Sequence, residues 1–447
     1  MNVGVVGGGI LGLCLAHRLS AMGHAVTLFE ASPHLGGLAG AHDYGSFTWD
    51  RFYHCILPTD VDLIRLLGEL GLGDELRWKA TGTGYYHGGN TYSMSGTIDF
   101  IRFPLLSLPS KARLAASVVY ATRFADPWKL YDVSAKEWLT RWCGRRGYEL
   151  FWRPLLRAKF GPYHDRVAAV FIWATLTRLF GARAGGAARE TLGYCRGGYH
   201  RIFGVLRREL ERRGVDLRTG TAVVGIDREP GGCAIRYRDS GEIASASFDQ
   251  VVFTAPTRVA RKLVDTSLLP VVERTERDHP TSGAYLGVAC LVVALRRPLT
   301  PYYALNIGDE RVELTGLIEM TNLIDAGEET GGLSLVYLPR YLDSEDPRLR
   351  LSDDDLADAM MERGVRRLFP DLTDADVVYR GLHRATYVQP LPLVGHGAAR
   401  RQEAPALVSP FQILNTSMLT CATLNNNEVV RLVDAFVERN LAVLGGD

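Results

Sequence analysis

The strongest constraint on this chain lies in its first thirty residues. Val3 to Val6 is a short β-branched run that stops at Gly7-Gly8-Gly9-Ile10-Leu11-Gly12. Leu11, Leu15, Ala16 and Leu19 then recur at helical spacing toward Gly23, and Ala25 to Phe29 is a second strand-like run ending at Glu30. Strand, glycine turn, helix, strand and acid is the order of a βαβ unit that holds a dinucleotide. Gly7 permits the tight turn, Gly9 lets a pyrophosphate approach the backbone, and Gly12 lets the helix pack against the strands. Ile10 and Leu11 open the helix, whose first amides and partial positive charge suit phosphate. Glu30 can accept hydrogen bonds from a ribose hydroxyl. A GxGxxG alone is imitated by other glycine turns; here the strand, helix and acid all stand where the unit requires them.

Composition narrows the rest. At 447 residues the chain is too long for one ordinary core, so two or three structural units are expected. Fifty-one Lys and Arg against fifty Asp and Glu leave a formal charge of +1, which gives no field for nucleic acid. The one dense basic run, Arg207 to Arg213, is interleaved with Glu209 and Glu211 and reads as a solvated helix face. Seven scattered cysteines without a CxxC argue against a disulfide framework or a metal site and fit a reducing compartment. No apolar run reaches the roughly 18 residues of a spanning helix, and Met1-Asn2 leads directly into a strand with no charged leader. A cytoplasmic α/β enzyme is the expectation.

The stretch from Glu30 to Gly36-Gly37 places five residues between the acid and a glycine pair. It resembles the extended FAD fingerprint of the flavoprotein superfamily that includes amine oxidases, protoporphyrinogen oxidases, phytoene desaturases and UDP-galactopyranose mutases. The resemblance implies FAD as the cofactor, with Glu30, Ala31, Gly36, Gly37 and Leu38 beside it. Leu38 departs from the Arg of many amine oxidases and is closer to the protoporphyrinogen oxidase and desaturase branches. Val223 then stands where relatives meet the adenine, and Thr254-Ala255-Pro256 ends the strand that closes back under the flavin site. Asn425, Asn426 and Asn427 open the last helix, whose N-terminus in relatives points at the flavin pyrimidine. Here they replace the usual Gly-Asp signature. Cys421, just upstream, is read as a buried thiol or, as in a few amine oxidases, a covalent flavin anchor.

The implied architecture is a Rossmann-like α/β FAD-binding domain, residues 1–85, 190–280 and 385–447. It is interleaved with an α+β substrate-binding domain, residues 86–189 and 281–384, that carries a helical cap. Helical spacing appears at 61–70, 111–124, 135–142, 148–156, 167–179, 202–213, 353–369 and 425–444. Hairpin signals fall at His87-Gly88-Gly89-Asn90 and Asp239-Ser240-Gly241. The small-residue stretch 181–188 reads as the return from cap to core. Gly395-His396-Gly397 lacks the unit around a second dinucleotide motif, so no NADPH domain is expected. Electrons would leave to oxygen, a quinone, another protein or the substrate itself.

Candidates for the chemistry each carry two readings. Tyr53 and His54, in an aromatic run after the glycine pair, either touch cofactor or substrate or belong to the core. Arg153 and Arg157, four apart beside Lys159, either hold a phosphate or carboxylate or form a salt-bridged cap helix. Their segment, Phe151 to Gly161, resembles one in protoporphyrinogen oxidase-like flavoproteins that accompany glycan-assembly genes. Arg384 and Tyr387 read as an anion partner and an aromatic wall, or as a buried strand. Phe103 to Tyr120 reads as cap packing or as a peripheral membrane contact. A small-molecule substrate with sugar, phosphate or isoprenoid character is expected; the oligomeric state is open. The leading reading is hydride transfer from a substrate C–H bond to flavin N5. A mutase-like isomerisation of a nucleotide sugar, with Arg153, Arg157 and Arg384 on the diphosphate, is the alternative. A flavin-binding subunit without turnover is the third.

Overall fold

β-Branched and aliphatic runs flanked by glycines give the first two strands, Asn2–Val6 and Ala25–Phe29, with the helix Ile10–Ala21 between them. A computed structural model describes residues 1–181, 190–395 and 404–445. Positions 182–189 of the expected return segment, and His396 and Gly397, lie outside the described residues. The first strand is central in a five-stranded parallel sheet. Its order is Phe411–Ile413, Gln250–Phe253, Asn2–Val6, Ala25–Phe29 and Asp216–Arg218. Parallel strands buried on both faces need near-continuous apolar sequence, and Val3, Val5, Leu28, Val251, Val252 and Phe411 are at most 1% exposed. A three-stranded meander, Val223–Glu229, Gly232–Asp239 and Glu242–Phe248, packs Tyr237 and Phe248 against Phe29.

The second sheet has seven strands in the order Val377–Pro390, Tyr285–Leu295, Ser334–Asp343, Gly316–Glu319, Ala304–Ile307, Thr83–His87 and Asn90–Ser93. Tyr285–Leu295 is buried along its whole length because both faces are covered. Ala289, Leu291 and Val293 meet the helical layer of Leu356, Met360 and Val365. Val288, Cys290 and Val292 meet Tyr44, Trp49 and Tyr337 on the cofactor side. The expected hairpin forms with His87 opposite Asn90, and Gly88 and Gly89 take φ of 60° and 83° as its two-residue turn requires. Two strands cross the expected unit boundaries. Thr83–His87 spans the one at 85, and Val377–Pro390 the one at 384; both pair in the second sheet.

The helices Leu108–Arg123, Ala135–Gly147, Arg153–Phe160 and Ala169–Gly181 form the cap around Tyr131, Leu139, Phe160 and Ala168. Pro154 stands at the start of Arg153–Phe160, directly after the π-helical turn Tyr148–Trp152. The closing helix, Asn426–Arg439, packs on Ile10–Ala21 and on Val61–Glu69. It stops short of the expected 444 because the Asn440 side chain binds Phe436 O, Pro405 O and the Leu407 amide, and a short second helix, Leu441–Leu444, follows. Among the described residues no helix is long and apolar enough to cross a membrane.

Candidate active site and cofactor cradle

The helix Ile10–Ala21 begins at Gly9 with no side-chain cap and no acid in its first turn, although Ile10 and Leu11 are buried. A buried helix start left in this way has amides that call for an external acceptor. Gly12 fixes how close the helix comes: a Cβ there would lie 1.9 Å from Gly7 O. Gly9 is the opposite case, since a Cβ there would meet nothing nearer than Gly37 Cα at 3.9 Å. The second glycine pair closes this cradle. The Gly36 amide donates to Gly8 O at 2.8 Å, and Gly9 and Gly36 bridge as neighbouring strands do. These residues fit the pyrophosphate of a dinucleotide.

The Glu30 carboxylate accepts from the amides of Gly8 and Ser32, both at 2.7 Å. A carboxylate has about four acceptor positions, so two remain for ribose hydroxyls. Ala31 is exposed beside it, and Leu38 sits half-buried in the turn Gly37–Ala39. The Thr221 amide donates to Glu30 O at 2.9 Å, which brings the start of the meander, and with it Val223, toward the same edge. Thr254 donates its hydroxyl to Val6 O at 3.0 Å, Asn415 holds Ala255 O at 3.1 Å, and Pro256 opens the helix Thr257–Leu263.

A second group gathers at the start of the closing helix. Asp50 is 1% exposed, and burial raises its pKa. Its Oδ1 accepts from the Tyr199 amide at 2.9 Å, and its Oδ2 lies 3.6 Å from His54 Nδ1. The His54 and Tyr199 rings are 5.0 Å apart, and the Tyr199 hydroxyl lies beside the Asn426 side chain. Asn425 caps its own helix through the Glu428 amide at 3.0 Å. Asn427 points elsewhere: its Oδ1 accepts from the amides of Asp62 and Leu63, at 2.9 and 3.1 Å, and so caps the helix Val61–Glu69. Its side chain is therefore engaged away from the cradle.

Leu424, just before the closing helix, lines a narrow cleft between cap and cofactor sheet, with Tyr131, Phe171, Thr281, Gln389 and Ser417. Behind Phe171 lies Lys159, its Nζ 5.0 Å from that ring and 5.2 Å from the ring of Tyr341. Burial pulls the Lys159 amine down to about 8, and no carboxylate among the described residues pairs with it. The Tyr341 hydroxyl stands 3.4 Å from that of Tyr53, and burial raises the pKa of both phenols. Tyr387 packs on Tyr285 at 5.7 Å, and Tyr285 lies beside Ser417 of the cleft. Cys421 is half-buried, and its amide donates to the Tyr131 hydroxyl.

The expected arginines do not join this group. Arg153 pairs with Glu149 at 3.0 Å and Arg157 with Glu310 at 2.8 Å, all of them well exposed. Arg384 pairs with Asp353 at 2.7 Å and donates to Leu349 O. The sequence reading missed His42, Asp50, Arg51, Tyr199, Tyr379 and His383. His42 Nε2 lies 2.8 Å from the Tyr379 hydroxyl, and the His42 and His383 rings are 4.6 Å apart. The run of Thr48 to His54 carried a signal for Asp50 and Arg51.

Fold and cradle together define a flavoprotein of the dinucleotide-binding class. Residues 12–410 match the family described as flavin containing amine oxidoreductase, and the chain belongs to it, with FAD as its cofactor. Among curated relatives, mitochondrial protoporphyrinogen oxidase of Nicotiana tabacum is 29% identical over 116 residues, 25% of this chain and 23% of that protein. The 4,4'-diapophytoene desaturase (4,4'-diaponeurosporene-forming) of Staphylococcus haemolyticus is 39% identical over 61 residues, 14% of this chain and 12% of that protein. The matches thus span less than a quarter of the length of these relatives. Solved structures are alike over nearly the whole chain. An oxidoreductase from Methanosarcina mazei has a TM-score of 0.72 at 18% identity, covering 98% of this chain and 100% of that one. Reduced UDP-galactopyranose mutase has 0.72 at 15%, covering 97% and 94%. Putrescine oxidase with bound putrescine has 0.70 at 16%, covering 97% and 98%.

Proposed function

We propose that this chain is an FAD-dependent oxidoreductase that oxidises a C–H bond of a small molecule held in the cleft between cap and cofactor sheet. The observation that carries the reading is the junction at Leu424 and Asn425, where the cleft wall runs directly into the N-terminus of the closing helix. FAD, when bound, supplies the hydride acceptor. The helix end places partial positive charge where negative charge develops on reduction. His54, Tyr199 and Asn426 orient the polar side of that junction. Lys159, with an amine near 8, can hold or release a proton close to neutral pH at the far wall. Tyr53 and Tyr341 keep that wall dry. Residues 1–85, 190–280 and 385–447, without the parts of the two strands that pair in the second sheet, form the cofactor unit, and the remaining segments form the substrate unit.

A mutase-like reading is less well supported. It asks three arginines to bind a diphosphate, yet Arg153, Arg157 and Arg384 are each paired with a carboxylate. The exposed Ile98, Ile101, Leu108 and Phe124 on the cap, flanked by Arg102 and Arg123, favour a peripheral membrane contact through which an isoprenoid-like substrate enters a cytoplasmic enzyme. The test is anaerobic titration of the purified protein with a panel of amines, polyprenols, sugar alcohols and nucleotide sugars. Bleaching of the flavin band by any member supports oxidation. Turnover of a nucleotide sugar only after prior reduction, with no net redox change, overturns it.

A further inference from the structure

Two buried donors have no acceptor, one against the glycine cradle and one beside the chain that leads away from it, and they come from distant parts of the sequence. Arg51 follows the strand Thr48–Asp50. Its amide donates to Gly40 O at 3.0 Å and its Nη2 to Gly37 O at 2.5 Å, so the guanidinium lies against the turn that closes over Gly9. Arg51 Nε is buried with no hydrogen-bond partner. No carboxylate among the described residues pairs with this side chain. His383 arrives from the strand Val377–Pro390, its ring 4.6 Å from His42 and 6.2 Å from Phe52. Its Nε2 is likewise buried and without a partner. Burial pushes the His383 imidazole down to about 4, and the neighbouring His42 and Arg51 add to the effect.

A guanidinium cannot shed its charge, so a half-buried one with no counter-ion calls for an anion. A neutral imidazole with its proton on Nε2 offers a second donor. The anion best placed is the one the first turn already makes room for, because Arg51 is bonded to Gly37 and Gly37 faces Gly9. We propose that Arg51 and His383 form the diphosphate-binding pair of the FAD site, with Arg51 Nε and His383 Nε2 donating to phosphate oxygens. The pair supplies a positive charge that the uncharged Leu38 does not. The proposal rests on the FAD reading and gives it a cation from outside the βαβ unit.

The test uses the full-length chain stripped of flavin and titrated with FAD, ADP and riboflavin by fluorescence or calorimetry at fixed salt. Arg51→Met is expected to weaken FAD and ADP at least tenfold and to leave riboflavin within twofold. His383→Phe is expected to weaken FAD and ADP by three- to tenfold. Wild-type affinity for FAD should fall more steeply with salt than that of Arg51→Met. Should Arg51→Met fail to fold, Arg51→Lys carries the test: the same discrimination between FAD and riboflavin, with a smaller loss. Unchanged FAD and ADP binding, or equal weakening of riboflavin, overturns the pair while leaving the flavoprotein assignment intact. So does Arg51-dependent binding of inorganic pyrophosphate to the flavin-loaded protein, which would move the pair to the substrate site. Wild-type chain that binds no FAD sinks both readings together.

Discussion

A methyl group added at Gly9 and one added at Gly12 meet opposite surroundings. At Gly12 the carbon would overlap Gly7 O at 1.9 Å, so the helix must move off the sheet. Gly12→Ala is expected to lower stability by about 1–3 kcal/mol, as overpacking does, and to lose FAD as a consequence. At Gly9 the backbone is already extended, with φ −73°, and the nearest atom is 3.9 Å away. Gly9→Ala should therefore fold normally and yet bind FAD at least tenfold more weakly, a difference of about 1.4 kcal/mol. Thermal melts of the flavin-free variants together with FAD titration check both; a Gly9→Ala protein that holds FAD as tightly as wild type would remove the cradle from the argument. Residue-scale reading of the sequence succeeded at these glycines because each is fixed by its neighbours in the chain. At Arg384 it left two readings open, because strands alternate. The sequence reading offered Arg384 as an anion partner or as part of a buried strand; it faces Asp353 and Leu349, while His383, one position earlier, faces His42. A charge in a strand can be seen in the sequence; the side of the sheet it lies on is set by pairing partners about a hundred residues away.

At the scale of elements, the final helix shows how one side chain can serve a neighbour. Three successive asparagines looked like three contacts to the cofactor, but a helix start has only one N-cap, and Asn425 fills it. Asn427 is turned to the adjoining helix, where it satisfies the amides of both Asp62 and Leu63, and Asp60 at that helix's own N-cap makes no side-chain bond to it. Asn427→Ala is expected to cost about 1–2 kcal/mol, the range for losing a cap, and because Asn427 is only 6% exposed the loss should lie toward the upper end. Urea denaturation measures it, and the FAD content of the purified variant should be unchanged. A loss below about 0.3 kcal/mol would mean that water replaces the cap. Helix and hairpin positions were legible because apolar spacing and turn residues are local signals. The cap carried by Asn427 was not, since it joins elements separated by more than 360 positions.

For the whole molecule the question is what holds the cap over the cofactor sheet. Much of that contact is apolar and unspecific in direction, and a charged clasp adds to it: Arg178 of the helix Ala169–Gly181 donates from Nη2 to Asp60 Oδ2 at 2.9 Å. The Asp60 side chain is 6% exposed and that of Arg178 is 20% exposed, so both charges are largely out of water. The same carboxylate also accepts the Leu57 amide at 2.9 Å. Removing one member of such a pair leaves the other buried and uncompensated, which costs about 3–5 kcal/mol in well-buried cases. Arg178→Met, discounted for its partial exposure, should cost about 2–4 kcal/mol. Burial already raises the Asp60 pKa even with Arg178 opposing it, so in the variant the carboxyl should rise further. A folded pKa above the unfolded value means that folding favours the protonated acid. The penalty is then fully present above the folded pKa and fades as pH falls toward the ordinary value of 3.8. The stability gap between wild type and Arg178→Met should accordingly be wider at pH 8 than at pH 5. Asp60→Asn combined with Arg178→Met should recover part of the loss and flatten that pH dependence, because no buried charge remains to titrate. A gap that stays constant with pH would show that Asp60 takes up water when its partner is removed, and that the cap is held without this clasp.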